Sequence, residues 1–187
     1  MSMSPTGLDA VRYEAIFAAC YERVLRYAQR RTDEQTAQDV AADVLLLAWR
    51  RLTELPDEPL PWLLAAARRV LSNQRRSQDR QERLQLRLTR EREPVTSQRT
   101  EDAYDVADQW AAALRSLSPL DQEVLALLAW DELTHREAAA VLGCRPSTFA
   151  MRASRARRRL LTALNSETAT HLSPLSETSM STTTRDH

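Results

Sequence analysis

Two glycines, Gly7 and Gly143, are all that the 187 residues contain. Glycine supplies the positive-φ positions of tight hairpin turns, and a sheet protein of this length needs many of them. Long stretches without turn signals, with 43% hydrophobic residues, therefore predict an all-α chain. The length suits two small domains, each with its own modest core. No apolar run approaches the roughly 20 residues of a membrane span, and Met1 to Ala10 lacks the basic-then-apolar layout of a signal peptide. A cytoplasmic protein without membrane insertion is expected.

Cysteine and histidine usage gives no sign of a metal or disulfide framework. Cys20 and Cys144 lie far apart and away from His135, His171 and His187, so no metal and no cofactor are expected. Cys20 reads as a core position and Cys144 as a small residue in a tight turn. No nucleophile with its base and no glycine-rich phosphate loop appears, which argues against an enzyme.

Charge is balanced overall and uneven locally. Every one of the 26 basic residues is arginine, matched by 26 acids. Nine arginines face three acids between Trp62 and Arg92, and six arginines face none between Ala138 and Ser166. Nine acids and two arginines lie between Glu101 and Glu137. Arginine presents a planar donor fork that fits phosphates and guanine edges, so the two basic segments are candidate nucleic-acid surfaces.

Apolar periodicity places a first helix over about residues 10–30, with Phe17, Cys20 or Tyr21, Val24 and Ala28 as its core stripe. "TDEQ", Thr32 to Gln35, has the pattern of a capping box and opens a second helix that runs to about Leu52. Asp39 and Asp43 sit one turn apart beside its apolar face. The three prolines of "TELPDEPLP" break the helix, and Pro61 suits the first turn of a third. On that third helix Leu63, Ala66 or Ala67 and Val70 pack inward, while Arg69, Asn73, Arg76, Arg80, Arg83 and Arg87 share one face.

Residues 89–103 are polar and contain a proline, which predicts a flexible linker between an N-terminal domain over 10–88 and a C-terminal domain over 104–165. The Ser/Thr-rich residues 166–187 read as a disordered tail. In the second domain Val106, Trp110, Leu114 and Leu117 form one face, and Ser118, Pro119 and Asp121 start the next helix. "THRE", Thr134 to Glu137, is a capping box, and Gly143 ends the short helix that it starts. A longer basic helix follows from about Pro146.

This is the layout of a helix-turn-helix, with small Ala139 allowing close approach and Phe149 as the wedge. Such a unit presents the start of its second helix to the DNA major groove. Ser147, Thr148, Ala150, Met151, Arg152, Ser154 and Arg155 are the candidate base-reading residues. Arg157, Arg158 and Arg159 are candidates for phosphate contact.

The blocks "DVAADVLLLAWRRL", "PWLLAAARRVLSNQRR" and "LSPLDQEVLALLAWDELTHREAAAVLGCRPSTFAMRASRARRRL" together resemble a bacterial RNA polymerase sigma factor of the extracytoplasmic-function type. The resemblance spans about Tyr13 to Leu164. It implies core RNA polymerase and promoter DNA as partners, with Asp39 and Asp43 on the polymerase clamp. It also implies that the loop Thr53 to Pro61, with Asn73, Arg76 and Arg80, receives the melted minus-10 strand while the C-terminal domain reads the minus-35 duplex. Many relatives are held by an anti-sigma factor. Ala150 and Met151 depart from the basic residue and serine frequent in the family after the wedge, and suit thymine methyl groups. Two alternatives stay open: a stand-alone helix-turn-helix repressor, and a helical adaptor with arginines as solvated surface. A dimerisation coiled coil, which a repressor would use, is not legible, so a monomer is expected before polymerase binding.

Overall fold

Helix after helix follows the predicted order in a computed structural model that describes residues 7–88 and 106–172. The elements are α1 (Gly7–Gln29), α2 (Glu34–Arg50), a short 3-10 turn (Leu52–Glu54), α3 (Leu60–Leu88), α4 (Val106–Ser116), α5 (Pro119–Ala129), α6 (His135–Leu142) and α7 (Pro146–Leu172). Every regular element among the described residues is helical. The linker expected over 89–103 lies outside the described residues.

Contacts divide the chain into two compact units, Met1–Gln98 with Leu127–Phe149, and Arg99–Ala126 with Ala150–His187. In the first, α1, α2 and α3 pack on one another and α6 packs on α3. The core of this unit follows from spacing on α2, where Ala37, Val40, Ala41, Val44, Leu45 and Ala48 recur three and four residues apart and are all buried. Leu63, Leu64 and Ala67 of α3 and Val24, Tyr27 and Ala28 of α1 complete it. Fully burying one such leucine contributes roughly 1.5–3 kcal/mol. In the second unit Ala113, Leu117, Val124, Leu125 and Ala126 are buried, as are Ala153 and Ala156 of α7.

Four sequence expectations are corrected. Phe17 is 42% exposed rather than part of the core, and Ile16 takes its place beside Cys20, Val24 and Tyr27. Cys20, Val24 and Ala28 are buried as the spacing requires, while Phe17 stacks on Tyr21 with centroids 5.1 Å apart. Helix α2 is capped by Asp33, whose carboxylate accepts from Thr36 N at 3.0 Å, rather than by Thr32. That bond holds the Asp33 carboxyl below its ordinary pKa. Ala113 of α4 and Leu117 just after it are buried, while Trp110 is 45% exposed. Helix α7 runs to Leu172 and takes in the first seven residues of the segment read as a tail; the rest of that segment lies outside the described residues.

Candidate nucleic-acid interface

The helix-turn-helix is built by local chemistry at three points. Thr134 and Glu137 form the reciprocal box: Glu137 N donates to Thr134 Oγ1 at 3.3 Å and Thr134 N donates to Glu137 Oε2 at 2.7 Å. The Thr134 hydroxyl and backbone NH together lower the Glu137 pKa. Gly143 closes α6 with φ +64° and ψ +38°. A side chain at that φ is strained, which is why glycine stands there. Cys144 N then donates to Ala139 O at 2.9 Å and satisfies a carbonyl at the helix end.

Phe149 is fully buried and its ring lies 5.7 Å from that of His135, the first residue of α6. Ala138, Ala139 and Val141 are buried on α6. Phe149 and the small residue Ala139 are thus both buried, as the helix-turn-helix reading expects. Beyond Phe149, α7 turns Ala153 and Ala156 inward. Ser147, Met151, Ser154, Arg155, Arg157 and Arg158 are exposed, and Thr148, Ala150 and Arg152 are half-buried. Met151 is 57% exposed.

Arg159 differs from its neighbours. Its Nη1 donates to Asp121 Oδ2 at 2.5 Å, and Ser118 Oγ donates to the same carboxylate oxygen at 2.8 Å. Asp121 N in turn donates to Ser118 Oγ at 3.2 Å, the cap expected at this helix start. Burial raises the Asp121 pKa, but the Ser118 hydroxyl and the Arg159 guanidinium outweigh it and the net shift is downward. Arg159 therefore already holds an anion of its own chain, whereas Arg157 and Arg158 face solvent.

In the first unit Asp39 and Asp43 are both exposed on α2, with Leu46 beside them 46% exposed. Asn73, Arg76 and Arg80 are exposed on α3, as is Arg69. The side chains of Arg83 and Arg87 lie outside the described ones. A cleft of about 820 Å³ opens along α3, lined by Trp62, Arg69 and Asn73 and by Arg136, Glu137 and Ala140 of α6. Trp62 gives that cleft a stacking surface, and Arg51, Arg69 and Arg136 line it in balance with Asp57, Glu58 and Glu137, so base stacking rather than net charge is what the cleft offers a single strand. The involvement of α6 in this cleft has no counterpart in the local sequence pattern.

Sequence reasoning also missed a carboxylate. Asp131 is 6% exposed and is ion-paired to both Arg30 and Arg31, about 100 residues earlier in the chain. An arginine pair alone is too common a signal to predict such a partner. Among the described residues no group of His, Cys, Asp and Glu could hold a metal ion, and no helix is long and apolar enough to cross a membrane.

Residues 107–160 match the family described as Sigma-70, region 4. No curated protein is matched by sequence. Among solved structures, the fold is similar to that of the sigma factor RpoE in complex with the anti-sigma factor NepR from Bartonella quintana, with TM-score 0.59 and 23% identity over 82% of this chain and 96% of that one. It is likewise similar to CnrH in complex with the cytosolic domain of CnrY, with TM-score 0.56 and 23% identity over 86% of this chain and 96% of that one.

Proposed function

We propose that this chain, which carries a sigma-70 region 4 in residues 107–160, is a sigma factor of the extracytoplasmic-function type. It is a non-enzymatic subunit that directs core RNA polymerase to promoters and assists DNA opening in the cytoplasm. The observation that carries this reading is the helix-turn-helix of α6 and α7 inside the region 4 match, with its box at Thr134, its left-handed Gly143 and its buried wedge Phe149.

The remaining roles follow from charge and exposure. Asp39 and Asp43 offer an accessible acid pair for the polymerase clamp. Asn73, Arg76 and Arg80, with the loop Thr53 to Pro61, receive the melted minus-10 strand through phosphate contacts and a base-pairing amide. Ser147, Thr148, Ala150, Met151, Arg152, Ser154 and Arg155 read the minus-35 duplex, and Arg157 and Arg158 fix register on its phosphates. RpoE was solved with an anti-sigma factor, and a protein of that class is the regulatory partner proposed for this chain.

Purified core polymerase mixed with the chain and a genomic promoter library tests the proposal directly. Specific start sites that depend on the chain are expected. No initiation on any template, together with palindromic footprints by the chain alone, refutes the proposal in favour of a repressor.

A further inference from the structure

Asp131 has no task in the function proposed above, yet the structure holds it with unusual thoroughness. Glu132, next to it, adopts φ +55°, and Leu133 N donates to Leu127 O at 3.0 Å, which closes the loop between α5 and α6. The closed loop delivers Asp131 to the C-terminal end of α1. There Arg30 donates to Oδ1, Arg31 Nη2 donates to Oδ2 at 3.2 Å, and Arg23 Nη2 donates to the Asp131 carbonyl at 2.8 Å.

The arginines are themselves positioned. Arg31 Nη1 donates to Tyr27 O at 2.8 Å, and its guanidinium lies 3.5 Å over the Tyr27 ring. Arg75 of α3 donates to Arg31 O at 3.0 Å. Arg23, Arg26 and Arg30 also line one small cavity with Asp131 and Glu132. Four arginines thus fall within nine residues of one helix end and the turn after it, a grouping of like charge that repels itself unless an anion sits among it.

Guanidinium forks bind carboxylate and phosphate by the same bidentate geometry. We propose that the cradle of Arg23, Arg30 and Arg31 is a binding site for a phosphate of single-stranded promoter DNA, and that Asp131 fills it in this conformation. The proposal rests on the DNA-binding function proposed above. Because Asp131 leads directly into α6, and α6 packs on α3 over the cleft that contains Asn73, one displacement uncovers two surfaces. A strand phosphate entering the cradle expels Asp131, and the departure of α6 opens the cleft to the bases. The closed chain excludes the strand until the polymerase or the DNA itself shifts the balance.

The test uses the full chain and a fluorescent single-stranded oligonucleotide, read by anisotropy. Asp131→Ala should bind about tenfold more tightly than the native chain if the closed form is the dominant one. Glu14→Gln, which removes the same charge at an exposed position of α1 outside the cradle, should change binding by less than about twofold. Adding Arg30→Ala and Arg31→Ala to Asp131→Ala should abolish the gain and flatten the dependence of affinity on salt. Helicity by circular dichroism checks each fold, and Asp131→Asn repeats the comparison should Asp131→Ala fail to fold. An Asp131 variant no tighter than Glu14→Gln overturns the proposal, as does a triple variant that keeps the full gain. A chain that passes these arms yet initiates nowhere with core polymerase supports the cradle and refutes the sigma-factor reading.

Discussion

Asp121 and Asp131 are both almost completely buried, both paired with arginine, and only ten residues apart, yet they solve different problems. Asp121 is the third residue of α5, three after Ser118, and its hydroxyl partner and its helix start belong to one local turn. Arg159 adds a partner from α7. Asp131 has no such local frame, and its partners come from α1, about 100 residues away. One carboxylate finishes a helix; the other ties a loop to a distant element. The energetic consequence is unequal, because a helix cap is shared with backbone and water while a buried ion pair leaves uncompensated charge when one partner goes.

The largest expected effect is therefore at Asp131. Asp131→Ala should cost about 3 kcal/mol of stability, near the lower end for a broken buried pair because Arg30 keeps partial contact with water. The loss is capped by whatever the docking of α6 on α3 contributes, since the loop can leave. Chemical denaturation of the full chain measures it, and a loss smaller than that of Asp121→Asn would reverse the ranking of the two sites.

Asp121→Asn should cost about 1–2 kcal/mol, the range for a helix-start residue that loses its charged hydrogen bonds. The same site carries a pH signature. Its folded pKa is depressed, so the stability it adds is present above the unfolded carboxyl value of about 3.9 and is lost as pH falls through the folded one. The gap between the native chain and Asp121→Asn should accordingly close as pH is lowered below about 4. A gap that persists in acid would show that packing, and not charge, makes the difference.

Arg159→Ala should have the smallest effect, about 0.5 kcal/mol, because its side chain is 59% exposed and the pair is screened by water. Its effect on duplex affinity should also be smaller than that of Arg158→Ala, since Arg158 faces solvent without that carboxylate. Electrophoretic mobility shifts with a minus-35 duplex decide this; equal losses would mean that Arg159 leaves Asp121 for a phosphate.

The same contrast explains what was legible beforehand. The Thr134 box, Gly143 and Phe149 could be read because each depends on residues within about a turn of one another, and the Ser118 cap for the same reason. Phe17 was misplaced because Ile16 and Phe17 are both apolar and adjacent, so periodicity alone cannot say which one faces the core. Asp33 replaced Thr32 because both residues are competent caps and the register was decided by where α1 ended. The Asp131 cradle was invisible since neither its arginines nor its acid is unusual alone. Exposure of Asp39, Asp43, Asn73, Arg76 and Arg80 followed from their faces; the cover that α6 places along α3 did not, because it joins helices with 46 residues of chain between them.

Helix α7 has one further consequence, which concerns anyone who would attach a probe to the molecule. Its 27 residues rise about 1.5 Å each and make a rod of roughly 40 Å. The proposed DNA contacts, bases and phosphates together, end at Arg158, so the last fourteen residues form a handle of about 20 Å beyond them. A fluorophore or affinity label fixed near Leu172, about 20 Å along the axis from the proposed DNA contacts, would report each rotation of the proposed recognition helix as a lever arm does.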